Sequence, residues 1–218
     1  MDLDNRRMTV GGSASRTRVV QARGDRRRAA ILKAAIALLN ANDAAQITYS
    51  DVGRRAGVPL SSMHHFYKDL QAIYFAIVAD DNDALSKRLN APLRAAHLRS
   101  WHTIWSEMTN RQVRHLRANP GVSQLLIGGK VTPEFKLQDR EIDLKLARII
   151  EAAVNQHFVL PILGSRTHIF FVALEIVDLL FTLSMIDHGT LTAKMVQESK
   201  KASVAYLSLY LGADLKRR

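Results

Sequence analysis

The side chains with the most evident chemistry lie close together in one stretch, which reads TYSDVGRRAGVPLSSMHHFY from Thr48 to Tyr67. Its second half carries short hydroxyl and imidazole side chains, which can hydrogen-bond to base edges and to phosphate oxygens. These candidates are Ser61, Ser62, His64 and His65. Leu60 precedes them, and its apolar side chain suits contact with a thymine methyl group. The set is typical of a surface that contacts DNA.

Polar and basic residues on either side of this set suit the phosphate backbone. Tyr49 and Ser50 begin the preceding helix, where the helix dipole favours an anion. Arg54 and Lys68 can pair with phosphates, although Arg54 reads equally well as solvated surface. The segment from Leu60 to Phe66 contains no Arg, Asn or Gln, the side chains that make bidentate contacts with guanine or adenine. We therefore expect affinity to depend on backbone contacts and on neighbouring arginines.

Capping and turn residues predict the elements that position these side chains. Thr48, with Asp51 three residues later, has the spacing of a capping box, which starts a helix. Gly57 ends that helix where a positive φ is needed, and Pro59 favours the start of the next helix. We predict a second short helix over residues 60–66, with Met63 pointing inward. Two short helices joined by a tight turn form a helix-turn-helix unit, whose second helix lies in the DNA major groove.

Apolar residues at helical spacing recur through the rest of the chain, and no strand-like alternation of useful length accompanies them. The chain is therefore predicted to be all-α. Predicted helices cover residues 25–40, 49–56, 60–66, 70–90, 93–119, 132–158, 166–188 and 191–211, with a short apolar piece at 122–127 and a frayed tail at 216–218.

Three regions follow from this pattern. Residues 1–24 are predicted to form a disordered basic arm, because residues 1–28 hold eight Arg against three Asp and no helical period begins before residue 25. Residues 25–69 form the helix-turn-helix DNA-binding region, and residues 70–218 form a second, entirely helical region.

Composition narrows the partners and excludes several classes of protein. The net charge of +11 suits a polyanion, either nucleic acid or an anionic membrane surface. No cysteine is present, which removes disulfides, thiolate metal sites and cysteine nucleophiles, and is compatible with the cytoplasm. No two histidines stand at i and i+4, and Gly128-Gly129-Lys130 is too short for a P-loop. Every window of about 18 residues carries charge, so we expect no membrane span. Because these metal-binding and catalytic motifs are missing, we also expect no metal, no cofactor and no enzyme activity.

The stretch resembles the helix-turn-helix of the tetracycline-repressor (TetR) family of bacterial transcription regulators. The similarity covers residues 25 to about 78 and is carried by a Thr-x-x-x-Val-Gly-x-x-Ala-Gly-Val pattern followed by small, apolar and aromatic positions. The matching residues are Thr48, Val52, Gly53, Ala56, Gly57, Val58, Ser61, Ser62, Met63, His64, His65, Phe66 and Tyr67. The chain departs from the family pattern at His64, where Tyr is commonest, and at Leu70, where Lys is usual. The resemblance implies that residues 60–66 form the recognition helix of a homodimer that binds a double-stranded DNA operator.

The resemblance also implies that the second region holds a pocket for a small-molecule effector. Trp101, Trp105 and Met108 stand at i, i+4 and i+7 on one helical face, which suits either an apolar pocket or ordinary core. His102 could supply polar specificity there. Glu175 is expected to face this pocket or an ion-pair partner, because an unpaired buried carboxylate is costly.

The last two long helices, 166–188 and 191–211, carry more apolar residues than one buried face requires, so we expect them to form a homodimer interface. Our hypothesis is a ligand-responsive repressor that binds a pseudo-palindromic operator as a dimer. The alternative is a basic, nucleoid-type protein with little sequence preference. A small-molecule-binding protein or enzyme is a third reading.

Overall fold

Helices make up nearly all of the regular structure in the computed structural model, which describes residues 11–127 and 133–218. Within these ranges there are nine α-helices, two short 3-10 turns and one isolated β-bridge. The helices are α1 (Gly11–Leu39), α2 (Tyr49–Ala56), α3 (Leu60–Met63), α4 (Leu70–Leu89), α5 (Trp101–Ala118), α6 (Pro120–Ile127), α7 (Pro133–His157), α8 (Arg166–His188) and α9 (Ala193–Leu211). The predicted all-α class is confirmed.

The first helix starts earlier than predicted. α1 begins at Gly11 rather than at residue 25, so residues 11–24 are helical and the predicted disordered arm is wrong for them. Ala, Arg and Gln, which have high helix propensity, supply most of residues 14–23. A helix propagates more readily than it nucleates, so Gly24, at a cost of about 1 kcal/mol, does not interrupt it. Residues 1–10 of the predicted arm lie outside the described residues.

A small apolar core joins α1, α2, α3 and the first half of α4. Fully buried side chains from each of these helices meet in it, among them Ile31, Val52, Met63 and Ile73. The predicted inward orientation of Met63 is confirmed. We call α1 to α3 and their connecting turns the head.

A larger core fills the remaining helices, α5 to α9, which we call the body. Its largest fully buried side chains are Trp101, Trp105, Phe170 and Phe181. α5 begins at Trp101 because the Ser100 hydroxyl accepts a hydrogen bond from the Thr103 amide at 3.2 Å. The predicted helix over 93–119 is therefore wrong before Trp101, where residues 95–98 form a 3-10 turn.

The helix α4 belongs to both cores. Ile73 and Ile77 are buried with the head, whereas Leu85 and Leu89 are buried with the body. Asp69 caps its first turn by accepting a hydrogen bond from the Ala72 amide at 2.7 Å. The helix predicted over residues 70–90 is confirmed, and it packs in both cores.

The C-terminal tail packs against the body instead of fraying as predicted. The Val159 amide donates to the Lys216 carbonyl at 2.8 Å, and the Arg218 amide donates to the His157 carbonyl at 3.0 Å. These bonds tie the chain end to the connection between α7 and α8, far away in sequence, so no local pattern predicts them.

The helix α8 is long and apolar enough, by length and composition, to cross a membrane. A core helix of a soluble protein meets the same condition, and Phe170, Val177 and Phe181 of α8 are buried in the body. Leu179 and Ile186 are nevertheless 59% and 63% exposed. The predicted apolar surplus on this helix is therefore confirmed.

Candidate functional site

The start of α2 is held by reciprocal hydrogen bonds. Thr48 Oγ1 accepts a hydrogen bond from the Asp51 amide at 3.1 Å, and Asp51 Oδ2 accepts one from the Thr48 amide at 3.0 Å. Hydrogen bonds from the Thr48 hydroxyl and amide hold the pKa of the Asp51 carboxyl below its ordinary value. The predicted capping box is confirmed. It leaves Ser50 exposed in the first helical turn, the position from which a hydroxyl can contact phosphate.

Tyr49, also predicted to contact phosphate, is occupied within the head. It is half-buried, and its hydroxyl donates a hydrogen bond to the Tyr67 carbonyl. Its ring centroid lies 5.2 Å from that of His64. Burial, and after it the Asp69 carboxylate, raises the pKa of Tyr49, so its hydroxyl remains protonated at neutral pH. In this arrangement Tyr49 positions the segment that carries His64.

A tight turn pins α3 against α2. Gly57 has φ 65°, a left-handed conformation that favours glycine, and the Val58 amide donates to the Gly53 carbonyl at 3.0 Å. A Cβ at Gly53 would lie 3.2 Å from the Val58 oxygen and 3.4 Å from Met63 Cγ. The two helices therefore approach more closely than most side chains would allow.

The predicted recognition segment presents most of its candidate side chains to solvent. α3 covers only residues 60–63, and a hydrogen-bonded turn follows, so the predicted helix over 60–66 is too long. In this turn the Phe66 and Tyr67 amides both donate to the Met63 carbonyl at 2.9 Å. The exposed candidates are Leu60, Ser61, His64 and His65, and Ser62 is half-buried.

His64 has a defined hydrogen-bonding state in this segment. Its Nδ1 lies 3.1 Å from the Lys68 carbonyl oxygen. A carbonyl oxygen only accepts, so Nδ1 carries the proton and Nε2 is an acceptor in the neutral ring. An acceptor at this position suits the exocyclic amino group of adenine or cytosine in the major groove.

Two of the predicted cations flank the segment in exposed ion pairs. Arg54 pairs with Asp51, with its side chain 75% exposed, and Lys68 Nζ lies 3.8 Å from Asp69 Oδ2. Exposed pairs of this kind contribute about 0–1 kcal/mol. Both cations can therefore exchange a carboxylate for a phosphate at little cost.

The first helix adds further positive charge beside the segment. Its exposed arginines include Arg23, Arg26, Arg27 and Arg28. Burial raises the pKa of Tyr67, and the Arg28 guanidinium opposes this rise, an effect that requires the two side chains to be near each other. Arg28 thus lies near Tyr67, directly after the recognition segment, and the other three arginines precede it on the same helix.

A polar contact that the sequence analysis missed joins the head to α6. The Gly121 amide donates to Asn40 Oδ1 at 2.8 Å. Gln124 Nε2 donates to the Leu39 carbonyl at 2.7 Å, and Gln124 Oε1 accepts from the Ala44 amide at 3.1 Å. We call these three bonds the α6 latch. One bond satisfies the Leu39 carbonyl at the end of α1 and another the Gly121 amide in the first turn of α6, two places where a helix has no partners of its own.

A second missed contact holds the far end of α4. The buried Arg111 guanidinium donates to four carbonyls at the end of α4 and just beyond, those of Arg88 (3.1 Å), Leu89 (3.0 Å), Ala91 (2.6 Å) and Pro92 (2.9 Å). Its Nε lies 3.1 Å from Glu107 Oε1. Burial would raise the pKa of Glu107, but hydrogen bonds from Arg114 and Arg111 outweigh it and hold that pKa below its ordinary value.

A cavity of about 250 Å³ opens between α4, α5, α6, α7 and α8. Its lining combines leucines and isoleucines with amide and carboxylate side chains. The residues are Asn82, Leu85, Gln112, Leu116, Leu126, Ile127, Arg140, Asp143, Leu146, Glu175, Asp178, Leu179 and Thr182. This mixture of apolar walls with a few polar groups is typical of small-molecule sites.

The predicted pocket residues are not brought together around this cavity. Only Glu175 lines it; the Trp105 indole is buried and donates to Ser203 Oγ at 2.8 Å, and the Trp101 indole donates to the Gly212 carbonyl at 3.2 Å. His102 stacks on Trp101 with ring centroids 3.7 Å apart. Met108 lines a second cavity, of about 420 Å³, between the end of α4, α5 and α7. The aromatic stripe is therefore mainly core.

The sequence predicts that Glu175 faces either the pocket or an ion-pair partner, and the structure places it in the lining of the cavity. Glu175 is exposed rather than buried, and Arg166, nine residues earlier on α8, lies 3.3 Å from Glu151. Asp178, one turn after Glu175, accepts a hydrogen bond from Gln112 Nε2 at 2.9 Å. Within residues 11–127 and 133–218, no cluster of three or more His, Cys, Asp or Glu side chains could hold a metal ion.

The head is a capped helix-turn-helix unit with an exposed recognition segment, and α4 joins it to a helical body that contains a cavity. This arrangement is typical of a DNA-binding regulator. A family model described as tetracyclin repressor-like, C-terminal domain, matches residues 99–211, which is more than half of the chain. The chain therefore belongs to the TetR family and is a DNA-binding transcriptional regulator, not an enzyme. Members of this family bind DNA operators as dimers and respond to small molecules.

Solved structures share the fold. A TetR-family transcriptional regulator from Streptomyces coelicolor is 20% identical, with a TM-score of 0.67 over 85% of this chain and 99% of that one. A TetR regulator from Rhodococcus sp. RHA1 is 15% identical, with a TM-score of 0.65 over 84% and 96% of the two chains. A TetR-family regulator from Pectobacterium atrosepticum is 16% identical, with a TM-score of 0.53 over 90% and 98%. No curated protein matches the chain.

Proposed function

We propose that this chain is a ligand-responsive repressor that acts in the cytoplasm and binds a pseudo-palindromic operator as a homodimer. One observation carries the proposal: the helices that hold the DNA-facing head, α4 and α6, also line the cavity of the body. A molecule bound in the cavity therefore touches the same elements that set the position of the recognition segment.

For DNA contact, we assign base-edge roles to the exposed side chains of the recognition segment, Leu60, Ser61, His64 and His65, with Ser62 beside them. Ser50, Arg54 and Lys68 contact phosphates in this proposal, and Tyr49 acts by holding the segment in place. Arginines at 23–28 add sequence-independent affinity through counterion release.

For dimerisation, we assign the last two long helices, α8 and α9. Their exposed apolar side chains are Leu179, Leu183, Ile186, Leu209 and Tyr210. Large apolar side chains left exposed on neighbouring helices mark interaction surfaces. Two heads related by a two-fold axis would place their recognition segments in successive major grooves, about 34–36 Å apart.

For switching, we assign α4 as the lever. Arg111 holds its C-terminal end, and Asn82 and Leu85 in its middle line the cavity. From Leu89 to Leu70 the helix rises roughly 28 Å, so a tilt of about 5° moves the head end by about 2–3 Å. In a dimer both heads move, which changes their separation by about 5 Å and breaks the match to one DNA turn. A ligand does this only if it binds the tilted state more tightly.

A second candidate function is a basic DNA-binding protein of low sequence preference. The net charge of +11 and the lack of Arg, Asn or Gln between residues 60 and 66 favour it. The two functions differ in specificity ratio, which for a regulator is about 10³ or more over bulk DNA at physiological salt.

The deciding experiment is a genome-wide footprint of bound sites, followed by gel shifts on one recovered site and on a shuffled duplex of the same composition. We expect at least about a 10³-fold preference for the recovered site. His64→Ala should remove most of this preference, whereas His188→Ala, at an exposed histidine that ends α8, should leave it unchanged. Equal affinity for both duplexes would refute the repressor and support the low-specificity function.

A further inference from the structure

The recognition segment, residues 60–66, presents three side chains to solvent on one face. Met63 is fully buried in the head, and the backbone stays helical through His64, whose φ is −62° and ψ is −21°. Exposed Ser61 and His64 therefore stand three residues apart on one helical face, and exposed Leu60 stands one turn before His64. Cβ atoms at these spacings lie about 5–6 Å apart, which corresponds to one or two steps of about 3.4 Å between base pairs.

The His64 ring is oriented by contacts at one nitrogen and with a second ring. Its Nδ1 lies 3.1 Å from the Lys68 carbonyl oxygen, and its ring centroid lies 5.2 Å from that of Tyr49. Tyr49 is itself held by a hydrogen bond from its hydroxyl to the Tyr67 carbonyl. Because Nδ1 carries the proton in the neutral ring, Nε2 presents only an acceptor. Such a nitrogen attracts the amino group of adenine or cytosine and repels the acceptor oxygens of guanine and thymine.

Ser61 supplies the hydrogen-bond donor that separates adenine from cytosine. In the major groove adenine presents the N7 acceptor next to the N6 amino group, whereas cytosine presents only an amino group. A Ser61 hydroxyl that donates to N7, with His64 Nε2 accepting from N6, matches adenine at both atoms. The two side chains thus supply together the donor and the acceptor that a single Asn or Gln usually supplies. Ser62 is half-buried, so Ser61 is the more accessible hydroxyl.

Leu60 adds an apolar contact beside this pair. It is the first residue of α3, and its side chain is 48% exposed. The methyl group of thymine is the apolar partner that the major groove offers to such a side chain. Guanine, in contrast, presents only acceptors at N7 and O6, and residues 60–66 contain no Arg to donate to both. The exposed face of α3 is therefore complementary to adenine and thymine.

We propose that Ser61 and His64 together read one adenine in each half-site of the operator, and that Leu60 reads the methyl group of a thymine in a neighbouring base pair. This inference rests on the proposed function, because it names the bases that the recognition segment selects. It also gives a source of sequence preference to a segment without Arg, Asn or Gln. The observations that carry it are the exposed face of α3 and the orientation of the His64 ring.

The test begins with a selection of bound duplexes from a randomised DNA library. The full-length protein is used at pH 8, where histidine side chains are mostly neutral. We expect each selected half-site to contain an adenine with a thymine in a neighbouring base pair.

Three base analogues then remove single groups from a selected duplex. 7-Deazaadenine replaces N7 with a C–H group, purine lacks the N6 amino group, and deoxyuridine lacks the thymine methyl group. In gel shifts the first two should each weaken binding about two- to twelvefold, the effect of one hydrogen bond. Deoxyuridine should weaken binding about two- to fourfold, the effect of one buried methyl group.

Variants assign each effect to a named side chain. Ser61→Ala should lose the response to 7-deazaadenine, and Leu60→Ala should lose the response to deoxyuridine. His64→Phe, which keeps an aromatic ring beside Tyr49, should lose the response to purine and keep the response to deoxyuridine. Ser165→Ala is the matched control, because Ser165 is exposed, lies in the body and makes no side-chain capping bond to α8. It should respond to all three analogues as the parent protein does.

Two results would overturn the assignment: selected half-sites whose shared base pairs are all G·C, or analogue responses that the variants leave unchanged. In either case one sequence is still preferred, so the repressor stands and only the base assignment is wrong. If no sequence is enriched over the starting library, the repressor itself fails, and this inference fails with it.

Discussion

Replacing Gly121 with alanine should loosen the contact between head and body. A Cβ at this position would lie 2.5 Å from Asn40 Oδ1, 2.9 Å from Asn40 N and 3.0 Å from Leu39 C. Two of these three atoms belong to the backbone and cannot rotate away. The start of α6 must therefore move away from the end of α1, and the α6 latch must lengthen or break.

Two terms set the size of the effect. Overpacking a tight contact costs about 1–3 kcal/mol. Loss of the hydrogen bond from the Gly121 amide to Asn40 Oδ1, now 2.8 Å long, costs roughly 0.5–1.5 kcal/mol more. A total of about 1.5–4.5 kcal/mol should lower the Tm by roughly 3–18 °C in a chain of this size.

The assay is thermal and urea unfolding followed by circular dichroism, with Gly164→Ala as the control. No atom lies within 4 Å of a Cβ added at Gly164, and its φ is not in the left-handed region. That control should stay within about 0.5 kcal/mol of the parent protein. If Gly121→Ala unfolds at the same midpoint as Gly164→Ala, the latch does not hold the head, and the reasoning about α6 is wrong.

Three further predictions concern the buried ions and the proposed dimer surface. Arg111→Met should lower the free energy of unfolding by about 3–5 kcal/mol, because it removes the buried cation that pairs with Glu107 and the side-chain donor to four carbonyls. Arg114→Met, at a side chain 54% exposed, should cost about 1 kcal/mol or less. Protein stability should fall as the pH drops below 4.5, the ordinary pKa of a Glu carboxyl. The hydrogen bonds to Glu107 outweigh the effect of burial and lower its pKa in the folded protein, so their stabilisation is lost as the pH falls through that lowered pKa. Leu179→Asp should convert a dimer into a monomer in light scattering, whereas Ile162→Asp, at a fully exposed loop side chain, should not.

Each of these has a result that contradicts it. Equal urea midpoints for Arg111→Met and Arg114→Met would mean that the four-carbonyl contact stabilises nothing. The pH dependence is tested by comparing the urea midpoints of the parent protein and of Glu107→Gln. The difference between the two midpoints should shrink from pH 6 to pH 3. A difference that stays constant would mean that the ionised Glu107 carboxylate does not stabilise the fold. A dimer that survives Leu179→Asp would move the interface away from this face of α8.

Local features of the fold were predictable because their causes lie within a few residues. The capping box at Thr48, the caps at Asp69 and Gly189, and the left-handed turn at Gly57 each depend on neighbours one to four residues away. The early start of α1 was missed for the opposite reason. Residues of high helix propensity are present there, but they follow no apolar periodicity, and two glycines at the start of the helix obscure it.

The candidate site was only partly predictable. Its DNA-facing half is one continuous segment, so sequence order alone brings Leu60, Ser61, His64 and His65 together. The cavity, in contrast, combines five helices. Helical spacing correctly placed Trp101 and Trp105 on one face, but it could not show that this face meets Ser203 and Gly212 about 100 residues later instead of a pocket.

By itself, the sequence determined that this protein is an all-helical regulator with a helix-turn-helix head, because caps, turns and apolar periodicity act over short distances. Tertiary structure alone decided where the cavity of the body lies and which helices join it to the head. The contacts of Gln124 with Leu39 and Ala44, and of Arg111 with the end of α4, join groups about 20 to 85 residues apart. Such contacts leave no pattern in the chain, since any buried guanidinium or amide finds its acceptors only after the helices have packed.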